Sequence, residues 1–189
     1  EPPEYAVFVL ATTEKHKILP TIVSRCQVFD FNRIRIDDTV DYLAYIAEQE
    51  GVSAQRDALN LIALKADGAM RDALSTFDQV VSFSEKNVTY ENVIAALNLL
   101  DLNCYFRITS AMAQRSHVDL LLTLDEIIAK GFDIPQFVAG LNVHLRNLLV
   151  AKQPESAKIL EIGESFASQY ADEAKRFDAA TLIGAMRLV

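Results

Sequence analysis

The chain has 189 residues, 51% of them hydrophobic, with 18 Lys and Arg against 26 Asp and Glu for a formal net charge of −8. That length supports one or two domains with a real core, and no apolar run approaches the roughly 20 residues that a membrane helix needs. The acidic balance argues against a surface that binds duplex DNA in bulk, because such surfaces neutralise phosphates with Lys and Arg.

The first residues, Glu1-Pro2-Pro3-Glu4, have neither the basic region nor the apolar core of a signal peptide. Tyr5 to Thr12 is a continuous apolar run rich in Val and Phe, the pattern of a strand buried on both faces of a parallel sheet. Pro20 suits the first turn of a short helix, and Gln27-Val28-Phe29-Asp30-Phe31 alternates as a second short strand. The opening therefore reads as the last two strands of a parallel α/β sheet whose earlier strands are absent.

From about Arg33 the spacing of apolar residues becomes helical. Asp37 or Asp38 is expected to cap a helix that buries Val40, Leu43, Ala44 and Ala47 and stops at Gly51. A second helix is predicted over 54–66, with Ala58, Leu59, Ile62 and Ala63 on one side. After a break at Asp67-Gly68, a third covers 70–83 with Leu74, Phe77, Val80 and Val81 inward. Thr89 caps a fourth that carries Val93, Ile94 and Leu97. Further helices are predicted over 103–114, 117–130, 134–152 and 157–175 and from 179 onward, with Ser116, Asp133 and Asp178 as caps and Gly131 as a stop. The expected boundaries are 1–32 for the end of an α/β domain, 33–98 for a small helical bundle and 99–189 for a second all-α domain. Both ends look cut, so the chain reads as a fragment.

Three positions carry chemistry. Thr13 ends the first strand, where ligands of open α/β sheets collect; its hydroxyl could hold an attacking water or sense a terminal phosphate, or simply bond its own turn. Arg25 follows the short helix. Its guanidinium is planar, permanently charged and matched to phosphate oxygens, the alternative being a surface arginine paired with an acid. Arg71 lies just after Gly68 at the start of a helix, where a fixed cation and a helix N-terminus both favour phosphate; a salt bridge to Asp67 or Asp72 is the plainer reading. Cys26 and Cys104 have no metal-ligand spacing and fit a reducing cytosol, with Cys26 read as a small packing residue. His16, His117 and His144 are scattered, so no metal site is expected. Apolar residues on 117–130 (Leu120, Leu121, Leu124, Ile127, Ile128) and on 134–152 (Phe137, Val138, Leu141, Leu145, Leu148, Leu149) exceed what one bundle layer needs, so some could face a partner.

The segments Leu10-Ala11-Thr12-Thr13, LPTIVSRC (19–26) and GAMRDALS (68–75) together resemble the gamma/tau family of bacterial DNA polymerase III clamp-loader subunits, which are ATPases of the AAA+ type. The resemblance is sharp from Tyr5 to Leu74 and rests on helical pattern beyond about Leu99. It implies a mainly α chain: the C-terminal remnant of a parallel α/β AAA+ sheet, then a helical lid and an all-α collar. It also implies roles. Thr13 would be sensor 1, Arg25 an arginine finger acting on a neighbour's nucleotide, and Arg71 the sensor 2 arginine reading the subunit's own ATP.

ATP and Mg²⁺ would serve the intact parent. This piece has no Gly-x-x-x-x-Gly-Lys-Ser/Thr loop and is not expected to bind ATP tightly or hydrolyse it. The implied partners are delta, delta-prime and further gamma/tau copies through the collar, the sliding clamp, and primed DNA through the whole assembly, in the bacterial cytoplasm. Three other readings stay open: a delta-prime-like subunit that donates an arginine without hydrolysing ATP, an AAA+ helicase, and a helical interaction module with no nucleotide role.

Overall fold

The computed structural model describes residue 3, residues 5–153, residues 160 and 162, and residues 164–188, with the side chains of 164 and 165 excepted. The chain divides into two units, Glu1–Asn32 and Arg33–Val189.

The first unit is built of turns. A 3₁₀ turn covers Lys15–Lys17, and a four-residue helix, α1 (Pro20–Val23), has its proline at the first helical position. Neither expected strand forms. Residues 6–11 and 27–31 carry no ladder partner, and Tyr5, Val7, Val9 and Phe31 are more than four-fifths exposed. An apolar segment is buried on both faces only when strands flank it and helices cover it, and these 32 residues supply neither. Cys26 is exposed as well, so it is not the packing residue the sequence suggests. Lys15 and Asp30 join the two arms of the unit at 3.3 Å.

The second unit opens with α2 (Ile36–Gln49), β1 (Ser53–Ala54), α3 (Arg56–Ala66), α4 (Met70–Phe83), β2 (Asn87–Val88) and α5 (Tyr90–Leu97). The cap of α2 differs from expectation. Arg35 occupies that position without a side-chain bond, and Asp37 and Asp38 sit in the first turn, where they still complement the helix dipole. Gly51 follows α2 with φ +62°. Ala54, expected to open the second helix, instead belongs to β1, which pairs in parallel with β2 in the register Ser53↔Asn87 and Ala54↔Val88. This two-residue bridge brackets α3 and α4, too short to show a strand pattern in sequence. The Thr89 hydroxyl accepts from the Asn92 N–H and caps α5 as expected. The core here gathers Val40, Leu43, Ala58, Leu59, Ile62, Ala63, Phe77, Val80, Val88 and Val93, all 2% exposed or less.

A second set of buried residues belongs to α6 (Leu102–Gln114), α7 (His117–Ala129), α8 (Ile134–Ala151), α9 (Glu164–Ala174) and α10 (Ala179–Leu188). Asp101, Ser116 and Asp178 each accept a backbone N–H at a helix start. Asp133 holds the cap position of α8 without such a bond. Most of the segment expected to start the helix at 157 lies outside the described residues. Gly140 on α8 meets the Tyr105 hydroxyl so closely that a Cβ there would collide with it.

The centre of this second core is polar. His144 is 1% exposed, with Nδ1 2.7 Å from the Tyr170 hydroxyl and Nε2 3.4 Å from Thr109 Oγ1. The Thr109 hydroxyl donates to the Phe106 carbonyl, which leaves its lone pairs to accept from His144 Nε2–H. Nδ1 then accepts from Tyr170, whose oxygen is also bonded by the Asn147 side chain. The cluster is satisfied only with a neutral imidazole, since the cation would turn both nitrogens into donors. Burial accordingly pushes the His144 pKa from its ordinary 6.5 down to about 3.

A group whose folded pKa is depressed in this way contributes stability that is fully present above about pH 6.5 and is lost as the pH falls toward about 3. Thermal melts between pH 7 and pH 5 are expected to show a steeper loss of stability for the natural protein than for His144→Gln. Parallel curves would show that His144 is not held neutral.

Candidate functional site

The residues singled out in the first unit stand on its exposed turns. Thr12 Oγ1 accepts from the Glu14 N–H at 3.0 Å, so Thr12 is the threonine that closes its own turn. Thr13 beside it is exposed in the bend, and among the described residues its hydroxyl has no hydrogen-bond partner.

Arg25 is placed by the end of α1. The Ser24 hydroxyl donates to the Thr21 carbonyl at 3.2 Å, and the N–H groups of Arg25 and Cys26 donate to Ile22 and Val23. These bonds tighten the helix end into a turn and leave the Arg25 side chain exposed. Among the described residues it has no ion-pair partner.

Arg71 is the second residue of α4 and is exposed. Ala69 holds the cap position and no side chain caps the helix, so the first-turn N–H groups keep their donor capacity. Neither Asp67 nor Asp72 pairs with Arg71. Asp67 instead binds the Arg33 guanidinium, and Asp72 has no ion-pair partner among the described residues. The Arg71 carbonyl accepts from the Ser75 hydroxyl at 2.9 Å, an ordinary bond within the helix. A guanidinium with no ion-pair partner among the described residues, beside a helix start without a side-chain cap, fits a phosphate.

Magnesium does not fit as well. Among the described residues no group of three or more His, Cys, Asp or Glu is gathered to hold a metal ion, and a hard cation requires oxygen ligands from carboxylates or phosphates. The described residues therefore offer contacts for the phosphates of a nucleotide and gather no ligand set for its metal.

Sequence reasoning missed the partnership of Arg33 with Asp67. Asp67-Gly68 is readable as a helix break, but nothing local marks a residue 34 positions earlier as its partner. The apolar surface of α7, part of which the sequence leaves open to a partner, divides in two. Ile127 is buried and Leu120 and Leu124 are half-buried, whereas Val118, Leu121, Leu122 and Ile128 are 67, 63, 62 and 51% exposed. The outward residues recur at helical spacing and form a second apolar stripe, with Asp125 within it. Among the described residues, no helix is long and apolar enough to cross a membrane.

Two family descriptions match the chain: the ATPase lid domain of a DNA polymerase III clamp loader subunit over residues 38–86, and the DNA polymerase III delta subunit over residues 1–35. The tau subunit of DNA polymerase III from Bacillus subtilis is 36% identical over 152 residues, covering 80% of this chain and 27% of the relative. The gamma/tau subunit from Mycoplasma genitalium is 32% identical over 165 residues, covering 87% and 28%, and that from Mycobacterium tuberculosis H37Rv is 31% identical over 186 residues, covering 96% and 32%. The chain thus spans between a quarter and a third of the length of these relatives. On these matches the chain belongs to the gamma/tau family of DNA polymerase III clamp-loader subunits.

Proposed function

We propose that the chain is the sensor, lid and collar part of a clamp-loader subunit that uses ATP to place the sliding clamp on primed DNA during replication. The observation that carries this reading is Arg71: an exposed arginine with no ion-pair partner among the described residues, on the first turn of a fourteen-residue helix without a side-chain cap, within the stretch matched by the lid family. Residues 33–98 act as the lid and 99–189 as the collar, a division supported by two separate sets of buried residues on either side of Asn98.

In the parent, ATP would supply the phosphoryl group and its magnesium would neutralise phosphate charge. Arg71 contributes a cation to the nucleotide of its own subunit. Arg25, on an exposed turn, reaches a neighbour's nucleotide and offsets the charge that builds on the transferring phosphate. Thr13 offers, in the same unit, a hydroxyl with no hydrogen-bond partner among the described residues.

A second reading has one observation in its favour. The match of residues 1–35 to the delta-subunit description suits a subunit that donates Arg25 without hydrolysing ATP. Arg71 counts against it, because a subunit that binds no nucleotide has no use for that cation. A plain helical interaction module would leave both arginines without purpose.

The outward stripe of α7 is read as the surface on which the collar meets the other loader subunits, with which a heterologous contact can close a ring. Exposed apolar residues gathered on one helix face favour a protein partner over solvent.

The arginine roles are separable by kinetics in the full-length protein reconstituted with its loader partners. Arg25→Ala is expected to lower DNA-stimulated ATP turnover by ~10³-fold with nucleotide affinity nearly unchanged. Arg71→Ala is expected to weaken ATP binding by about tenfold, the loss of one hydrogen bond to a charged group. Wild-type behaviour of both variants would leave the helical interaction module as the better reading. For the collar, Val118→Glu with Leu121→Glu is expected to leave the melting temperature of the isolated chain almost unmoved and to shift the reconstituted loader toward free subunits in sedimentation velocity. Intact assembly would remove α7 from the interface.

A further inference from the structure

The point where the chain enters the helical unit is fastened to the turn that launches α4. The Ile34 N–H donates to the Gly68 carbonyl at 3.2 Å, and the Arg33 guanidinium pairs with the Asp67 carboxylate. Asp67 and Gly68 are consecutive left-handed residues, with φ of 48° and 80°, and they fold the α3–α4 turn back over Arg33 and Ile34. The approach is close. A Cβ on Gly68 would lie 2.6 Å from the Arg33 Cβ and 3.1 Å from the Ile34 carbonyl oxygen.

We infer that Gly68, with the Arg33–Asp67 pair beside it, is a positioning latch that makes residues 33–35 and the first turn of α4 a single piece, so that a pull on Arg71 by a nucleotide phosphate is carried to the chain at Asn32. This rests on the reading of Arg71 as a phosphate-binding group.

The two contacts differ in weight. The Arg33 and Asp67 side chains are 75% and 68% exposed, and an exposed ion pair contributes little. The backbone contact sets the geometry. A side chain at position 68 would be strained by its φ and would meet the Arg33 Cβ, which cannot swing away as the end of a flexible side chain could. Gly68→Ala must therefore open the latch while Arg71 itself is kept.

The test uses the full-length protein assembled with its loader partners, clamp and primed DNA. ATP affinity is measured with a fluorescent ATP analogue and turnover by phosphate release. Gly68→Ala is expected to lower DNA-stimulated kcat at least about fivefold, a typical coupling between linked sites, while affinity changes less than about twofold. Arg71→Ala alone is expected to lose affinity. Wild-type kcat in Gly68→Ala overturns the latch. So does a loss of affinity matching that of Arg71→Ala, since Gly68 would then only shape the Arg71 site.

Should Gly68→Ala fail to fold, Ile34→Pro takes its place, because it removes the N–H that donates to the Gly68 carbonyl. Lowered kcat with affinity kept supports the latch, and wild-type kcat or a loss of affinity matching that of Arg71→Ala overturns it. An Arg71→Ala protein with unchanged affinity would instead remove the reading on which the latch rests, whatever Gly68→Ala does.

Discussion

Helix α3 is buried along one whole side, and the first half of the helical unit is arranged around that constraint. Ala58, Leu59, Ile62, Ala63 and Ala66 are all within 6% of full burial, and α3 packs against α2, α4 and α5. Three of the five are alanines, which lets neighbouring helices approach closely and leaves Leu59 and Ile62 to fill the space between them. Deleting a methylene from such an interior is felt because close-packed neighbours relax only in part. A helix held on three sides has a fixed end, so the turn after it has a fixed direction. That turn is Asp67-Gly68, and α4 with Arg71 begins two residues later. The position of a solvent-exposed arginine is thus set by alanines that touch no ligand.

The second half solves its packing differently. Its centre contains a histidine, a tyrosine, a threonine and an asparagine that satisfy one another, ringed by Phe106, Tyr105 and Phe137. Phe106 meets the imidazole edge-on at 4.7 Å and Tyr170 at 4.8 Å. Burying a polar group without a partner costs several kcal/mol in an apolar medium, so this cluster accepts few alternative packings of α6, α8 and α9. An apolar core could slide by a turn at small cost; here a slide would strand the Tyr170 hydroxyl. The two halves touch through Tyr90 and Phe166, whose rings lie 5.1 Å apart.

Most of the helices could be read from the sequence because each carries a one-sided apolar pattern and a polar start. The Met70–Phe83 helix matches to the residue, and Thr89 caps where its hydroxyl suggests. Where reading failed, the deciding partner was distant. The apolar run 5–12 has the composition of a buried strand, yet a strand exists only through its ladder, and composition does not carry the ladder. The β1–β2 bridge joins residues 34 apart through two pairs, below any periodic signal. His144 could be noticed as an apolar-face histidine, but its bond to Tyr170 spans two helices. The roles proposed for Arg25 and Arg71 rest on short motifs, whereas the pairing that keeps Asp67 from Arg71 came only with the fold.

The two arginines also differ in what holds them, and the difference suits the roles proposed for them. Arg71 stands on a long helix whose inner face buries Ala73, Phe77 and Val80, so its own subunit determines where the charge is. A residue that reads the nucleotide of its own chain needs such placement, because a misplaced cation loses the bidentate geometry that makes arginine useful. Arg25 follows a four-residue helix with no buried residue, so little within the unit fixes its side chain. For a group proposed to act across an interface this is consistent, since a neighbouring subunit would then supply the remaining constraint. On that reading an arginine ordered only by assembly would promote hydrolysis in the complex and not in the free subunit, and so would confine ATP turnover to complete loaders.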